Sequence, residues 1–311
     1  MAAILVDALL PVFLIIALGA VLRRVLLRDE AHWAALERLT FYVLFPALII
    51  VSIAKSDLGE VAVVEVTTAL LGAIAIVSAA LLGGRVAICR GLALSGPSFT
   101  SLLQGSVRWN TYIALAVAGS FAGTAGLAVA AVGIAVIIPA VNVLSVVVLA
   151  RYAADTDPGL RRILIQLGRN PYVWACAVGI ALNALDVPVP TALMSFGDIL
   201  GRASLSLGLL VVGAGLQLGN LRRPRPVTWL SAGLKLLAMP ALGIAIGQMC
   251  GVRGVDLLVV AISCAVPSAP NGYVLARQMG GDAPLLAEML TVQTLLSAVS
   301  LPLIIALVGV L

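Results

Sequence analysis

Histidine occurs once in the 311 residues, cysteine four times, and charged residues make up only 11% of the chain. The lone His32 stands in a charged loop without a catalytic partner, which excludes a Ser/His/Asp hydrolase and an HExxH metal site. Cys89, Cys176, Cys250 and Cys264 are scattered without ligand spacing, and three of them fall within or at the ends of apolar spans. Neither a disulfide framework nor a zinc site is therefore expected. A phosphate-cradling glycine loop with its lysine is also missing, which argues against an ATP-driven pump built from this chain alone. The expectation is a non-enzyme with no cofactor and no metal, and no stretch is polar enough for a large soluble domain.

What is present is apolar surface. Hydrophobic residues make up 62% of the chain, more than a soluble domain can hide, so the class is an all-α polytopic membrane protein whose first partner is the lipid bilayer. The net charge of +5 would suggest nucleic acid in a soluble protein. Here the basic residues cluster in short loops, so the charge reads as a topology signal and no nucleic-acid partner is expected. Ten spans can be read, each near the roughly 20 residues that a membrane-crossing helix needs. They cover 4–22, 36–54, 61–83, 97–121, 124–150, 171–186, 191–218, 227–250, 255–279 and 284–310. The first run has no basic residues before it and no small-residue cleavage site, so it reads as a retained span rather than a signal peptide.

Orientation follows from Lys and Arg. The loops after spans 1, 3, 5 and 7 hold 13 of them: Arg23, Arg24, Arg28, Arg38, Arg85, Arg90, Arg151, Arg161, Arg162, Arg169, Arg222, Arg223 and Arg225. The opposite loops hold only Lys55 and Arg253. The first set marks the cytoplasmic side, and an even number of spans then places both termini outside. The longest loop, 151–169, mixes Arg with Asp and reads as a cytoplasmic linker between two halves, 1–150 and 170–311.

Two stretches interrupt their spans. Span 9 contains Pro267-Ser-Ala-Pro-Asn-Gly-Tyr273, with two prolines and a glycine that break a helix. Span 4 contains Arg108-Trp-Asn-Thr-Tyr112, an echo in which Asn110-Thr-Tyr112 answers Asn271-Gly-Tyr273. Asn110 and Asn271 stand 161 residues apart, and Pro139 and Pro302 stand 163 apart. The near-constant offset joins span 4 to 9 and span 5 to 10. Five spans per half is an odd number, so the expected architecture is a 5+5 inverted repeat. In lipid, broken backbone survives only where protein buries it or where it lines a wet cavity, and paired breaks point to a transporter's midplane site. Helices restarting near Asn110 and Asn271 would aim two N-termini at that site, with Asn as cap, and so make a seat for a carboxylate or another anion. The bland alternative is a pair of proline kinks with nothing bound.

Arg108 lies deep in span 4 and either holds the anion, pairs with a carboxylate or snorkels. Of the other intramembrane charges (Asp7, Glu65, Asp198, Arg202, Lys235, Arg277 and Glu288), Asp198 and Arg202 are four apart and are expected to pair on one helix face. Lys235 and Glu288 are candidates for proton coupling, set against a structural pair. Asn142, Thr291, Gln293 and Thr294 would bond substrate or the broken backbone, or simply hold helices together. Pro46, Gly213 and Gly215 read as packing or hinge positions.

The motifs Phe41-Tyr-Val-Leu-Phe-Pro-Ala47, Arg108-Trp-Asn-Thr-Tyr112, Lys235 in span 8 and Pro267-Ser-Ala-Pro-Asn-Gly-Tyr-Val-Leu-Ala-Arg277 resemble the auxin efflux carrier family, bacterial malonate and malate carriers included. The resemblance runs over nearly the whole chain. The long cytoplasmic loop of many plant members is absent, which favours a bacterial-type carrier. It implies a sodium/proton antiporter-like fold with crossed, broken helices in spans 4 and 9. It further implies a scaffold of spans 1, 2, 6 and 7, a mobile unit of spans 3–5 and 8–10, an elevator-type motion and a homodimer.

Carried onto this chain, the resemblance puts Asn110 and Asn271 at the crossover, with Pro267, Pro270 and Gly272 shaping it. Asn142 lines the pocket, and the neighbouring Arg108, Thr111, Tyr112, Ser268 and Tyr273 complete the candidate substrate contacts. The expected function is a secondary transporter of a small mono- or dicarboxylate in the cell membrane, with protons as a possible co-substrate. A sodium-coupled carrier or cation/proton antiporter of the same fold is the first alternative. A non-transporting receptor or structural membrane protein, which needs only the packing, is the second.

Overall fold

The computed structural model describes residues 2–55, 61–153, 168, 171–185, 187–219 and 223–309, and every regular element among them is helical. The expected linker lies almost wholly outside the described residues, as do Arg161, Arg162, Arg169 and Arg222. Among the described residues, seven helical stretches are long and apolar enough to cross a membrane: Asp7–Val25, Glu30–Lys55, Val63–Gly83, Gly96–Tyr152, Thr191–Ala214, Pro226–Met249 and Ala283–Val308. The chain is thus a multi-pass membrane protein. Two further apolar helices, Pro171–Ala184 and Gly254–Ala265, are shorter.

The helices in chain order are α1 (Ala2–Val25), α2 (Glu30–Leu39), α3 (Phe45–Lys55), α4 (Val63–Gly83), α5 (Arg85–Gly91), α6 (Gly96–Val107) and α7 (Thr111–Tyr152). They continue as α8 (Pro171–Ala184), α9 (Thr191–Ala214), α10 (Pro226–Gly233), α11 (Met239–Met249), α12 (Gly254–Ala265), α13 (Asn271–Gln278) and α14 (Ala283–Val308).

Several starts and bends have local causes. The Asp29 carboxylate accepts the Ala31 N–H at 2.9 Å and starts α2, so Arg38 lies inside a helix rather than in the expected loop. Single π-helical turns at Thr40–Leu44 and Leu234–Ala238 join α2 to α3 and α10 to α11. Each stands just before a proline, Pro46 or Pro240. A proline cannot donate to the carbonyl four residues back and its ring crowds it, and a widened turn relieves both problems. Spans 4 and 5 part where expected: within α7 the chain leaves helical geometry at Gly123, whose φ of 54° and ψ of −136° suit glycine alone, so α7 is two helices in succession.

The chain divides into two compact units. The first comprises Met1–Val63, Thr111–Ala135 and Leu167–Gly215. In it α1 packs on α9, and α3 on α8 and α9. A Cβ at Gly19 would lie 2.1 Å from the Leu210 carbonyl oxygen, and one at Gly213 would lie 1.8 Å from that of Ile16. Only hydrogen at these positions lets the two helix backbones touch, the usual means of packing helices in lipid. Asp198 pairs with Lys55 rather than with Arg202, which forms no ion pair among the described residues. The helix-face pairing expected from spacing is therefore wrong, because a neighbouring helix end offers a shorter route to the carboxylate.

The second unit comprises Val64–Asn110, Val136–Gln166 and Leu216–Leu311. Within it α14 packs on α6, α10, α12 and α13.

Candidate functional site

The second unit holds both interruptions. Helix α6 stops at Val107, and Arg108 to Asn110 run on without helical structure. Helix α12 stops at Ala265, and Val266 to Pro270 do likewise. Arg108 and Val266, the residues that end the two helices, share one extended conformation, φ near −68° and −65° with ψ near 150°. For Val266 the cause is the following Pro267, which disfavours helical backbone in the residue before it.

The two breaks meet. The Asn110 backbone N–H donates to the Pro267 carbonyl at 3.0 Å, and its side-chain amide donates to the Ser268 carbonyl at 3.4 Å. Gln293 of α14 completes the joint. Its carbonyl accepts the Ser268 N–H at 2.9 Å, and its amide donates to the Gly105 carbonyl and the Ser231 hydroxyl, both at 3.0 Å. Asn110, Ser268 and Gln293 are all fully or almost fully buried. Backbone groups freed by the breaks thus find partners inside protein, as the apolar surroundings demand.

Arg108 is 5% exposed and forms no ion pair among the described residues. Its Nε donates to Gln104 Oε1 at 3.1 Å, and its Nη2 reaches Asn142 Oδ1 at 3.4 Å. Gly272 makes room for it, since a Cβ there would stand 2.9 Å from Arg108 Cδ and 3.3 Å from Nε. Among the described residues, a positive charge is therefore held beside the joined breaks by neutral amides. Gln104 lies at the centre of this cluster, and sequence reading passed over it because a lone glutamine in an apolar helix resembles packing glue. Its spacing of four residues from Arg108 was the available signal.

The other expected residues divide. Asn271 is the first residue of α13 and exposed, and the cap position falls to Pro270, with no side-chain cap bond. The expected capping by Asn271 is therefore incorrect, because Pro270 adopts helical angles one residue earlier. Tyr273 carries the Arg277 guanidinium 5.9 Å from its ring centre. Thr111 and Tyr112 open α7 in the first unit, where the Tyr112 ring stacks on Phe45 at 4.8 Å. Thr291 and Thr294 donate to the Ala287 and Leu290 carbonyls of their own helix.

Glu288 accepts the Arg225 N–H (2.7 Å), Arg225 Nε (3.2 Å) and the Thr228 hydroxyl (2.6 Å). Lys235 is 1% exposed, is not Glu288's partner, and forms no ion pair among the described residues. Nor do the described residues contain a cluster of three or more His, Cys, Asp or Glu suited to a metal.

Comparison with known proteins gives two matches. The profile of a family described as membrane transport protein matches residues 128–305, more than half of the chain. A relative from Methanothermobacter thermautotrophicus, described as an uncharacterized transporter, is 26% identical over 306 residues and covers 96% of each chain.

Proposed function

Since the chain belongs to the membrane transport protein family, that of the auxin efflux carriers, we propose that it is a secondary carrier of a small organic anion. The observation that carries this reading is Arg108, a buried guanidinium beside two joined helix breaks whose partners among the described residues are amide oxygens. A charge in such a place is costly unless something of opposite sign visits it, and intramembrane charges commonly mark substrate paths. A cation carrier would need a carboxylate at this position.

The reading extends to a mono- or dicarboxylate such as malonate, malate or an auxin-like acid. It takes ten spans arranged as a 5+5 inverted repeat, with the breaks of spans 4 and 9 crossing at the midplane. Transport is an elevator-type alternation in which spans 3–5 and 8–10 move against a scaffold of spans 1, 2, 6 and 7. The protein sits as a homodimer in the cell membrane with both termini outside, a topology supported by the excess of Arg in one set of loops.

Uptake of labelled malonate, malate and indole-3-acetate into proteoliposomes, with and without a proton gradient, tests the proposal. Saturable uptake of one acid supports it, and acceleration by the gradient assigns proton coupling. Folded protein that moves none of the acids but gives sodium-dependent flux would replace it with the cation reading.

A further inference from the structure

Beside Arg108, which has amide acceptors but no carboxylate partner among the described residues, stands a donor that lacks an acceptor. Gln104 is fully buried, and its amide nitrogen Nε2 has no hydrogen-bond partner among the described residues. Buried amide N–H groups are rarely left so, and each such group calls for an explanation. The amide cannot be turned to cure the defect. Rotation would place Nε2 against Arg108 Nε, donor against donor, where Oε1 now accepts at 3.1 Å. The bond to Arg108 therefore fixes Nε2 as an open donor on the same helix face, four residues from a guanidinium that has no carboxylate partner among the described residues.

We propose that Gln104 and Arg108 form one clamp, in which the amide N–H and the guanidinium together bind a carboxylate group of the transported acid. The inference rests on the organic-anion reading and deepens it, because it names the group recognised and a residue that sets specificity. The two defects have a single remedy. A planar anion with two acceptor oxygens satisfies the amide with one oxygen and the guanidinium with the other, the arrangement for which Arg is suited. A neutral amide or ester would satisfy the Gln104 donor but leave the charge unmet. A chloride ion would meet the charge with one centre where two directed donors wait. Asn142 supports the clamp from the side by accepting from Nη2. Gly272 leaves room for the Arg108 side chain, since a Cβ there would stand 2.9 Å from Arg108 Cδ.

The test uses the full-length protein in proteoliposomes, with labelled malonate, malate and indole-3-acetate as probes, and thermal stabilisation of the purified protein by the same acids. Gln104→Met keeps the size and removes the donor. It should raise KM about tenfold, the effect of losing one hydrogen bond to a charged group, with Vmax within about twofold of wild type. Gln104→Glu places a carboxylate on Arg108 and should abolish both uptake and acid-induced stabilisation in protein that remains folded.

A purely structural glutamine would behave differently: the acid-free protein would lose stability and Vmax would fall while KM stayed put. Wild-type KM in either variant would overturn the clamp and leave the carrier reading intact. Wild-type protein that neither transports nor is stabilised by any of the three acids would overturn the carrier reading, and the clamp with it.

Discussion

The backbone N–H of Asn110 donates to the carbonyl of Pro267 at 3.0 Å, so the two interrupted helices are joined through their own main chains. The joint has an extended residue on each side, the Asn110 amide bonds the Ser268 carbonyl, and Gln293 takes up the Ser268 N–H and the Gly105 carbonyl. Arg108 stands two residues before the N–H that makes this joint, so the joint anchors the backbone that carries its side chain. Consequences for four sites can be measured.

Arg108→Gln should reduce uptake efficiency for an organic anion by about 10- to 100-fold, the effect of losing a charge-assisted contact worth about 1.5–3 kcal/mol. Arg108→Lys should recover little of it, because an ammonium lacks the planar fork that engages Gln104 and an anion together. Initial rates in proteoliposomes across a concentration series give the comparison.

Gln293→Leu should destabilise the protein without touching a substrate group. It strips partners from the Ser268 N–H and the Gly105 carbonyl, each costing about 1–3 kcal/mol when left buried and unpaired. A fall of several degrees in Tm is expected. An unchanged Tm would mean that the breaks do not depend on this amide.

Gly213→Val should prevent native packing of α1 against α9, since even a Cβ would stand 1.8 Å from the Ile16 carbonyl oxygen. The neighbours are backbone atoms, which cannot rotate aside as a flexible side chain would. Size-exclusion chromatography should show little monodisperse protein, whereas substitution at Gly233, where a Cβ meets nothing, should be tolerated.

Glu288→Gln should lower stability and leave the pH profile of transport unchanged. The carboxylate is already occupied by Arg225 and Thr228, and the pair stands at the start of α10 rather than at the breaks. A lost or displaced pH dependence would instead make Glu288 the coupling group.

Much of the scaffold was legible because its causes are local. Pro267 and Pro270 break a helix wherever they stand in one, and a hydrophobic run of about 20 residues reads as a span without reference to its neighbours. Locality also explains the errors. The π-helical turns ahead of Pro46 and Pro240 are small adjustments of continuing helices, so they leave no mark on hydropathy. Asn271 looked like a cap from its type alone, while the angles of Pro270 decided the matter.

The polar partnerships were not legible. Asp198 with Lys55, Glu288 with Arg225 and Gln293 with Gly105 are separated by 143, 63 and 188 residues. The amino-acid sequence by itself determined that this is a membrane-embedded helical chain, where its helices break, and that a positive charge lies next to one break, since composition and backbone chemistry act over a few residues. Which donors find acceptors was decided only by tertiary structure. In an apolar interior every polar group must bond to whatever the packing brings within about 3 Å, and the packing left the Gln104 amide and the Arg108 guanidinium bonded to no acid among the described residues.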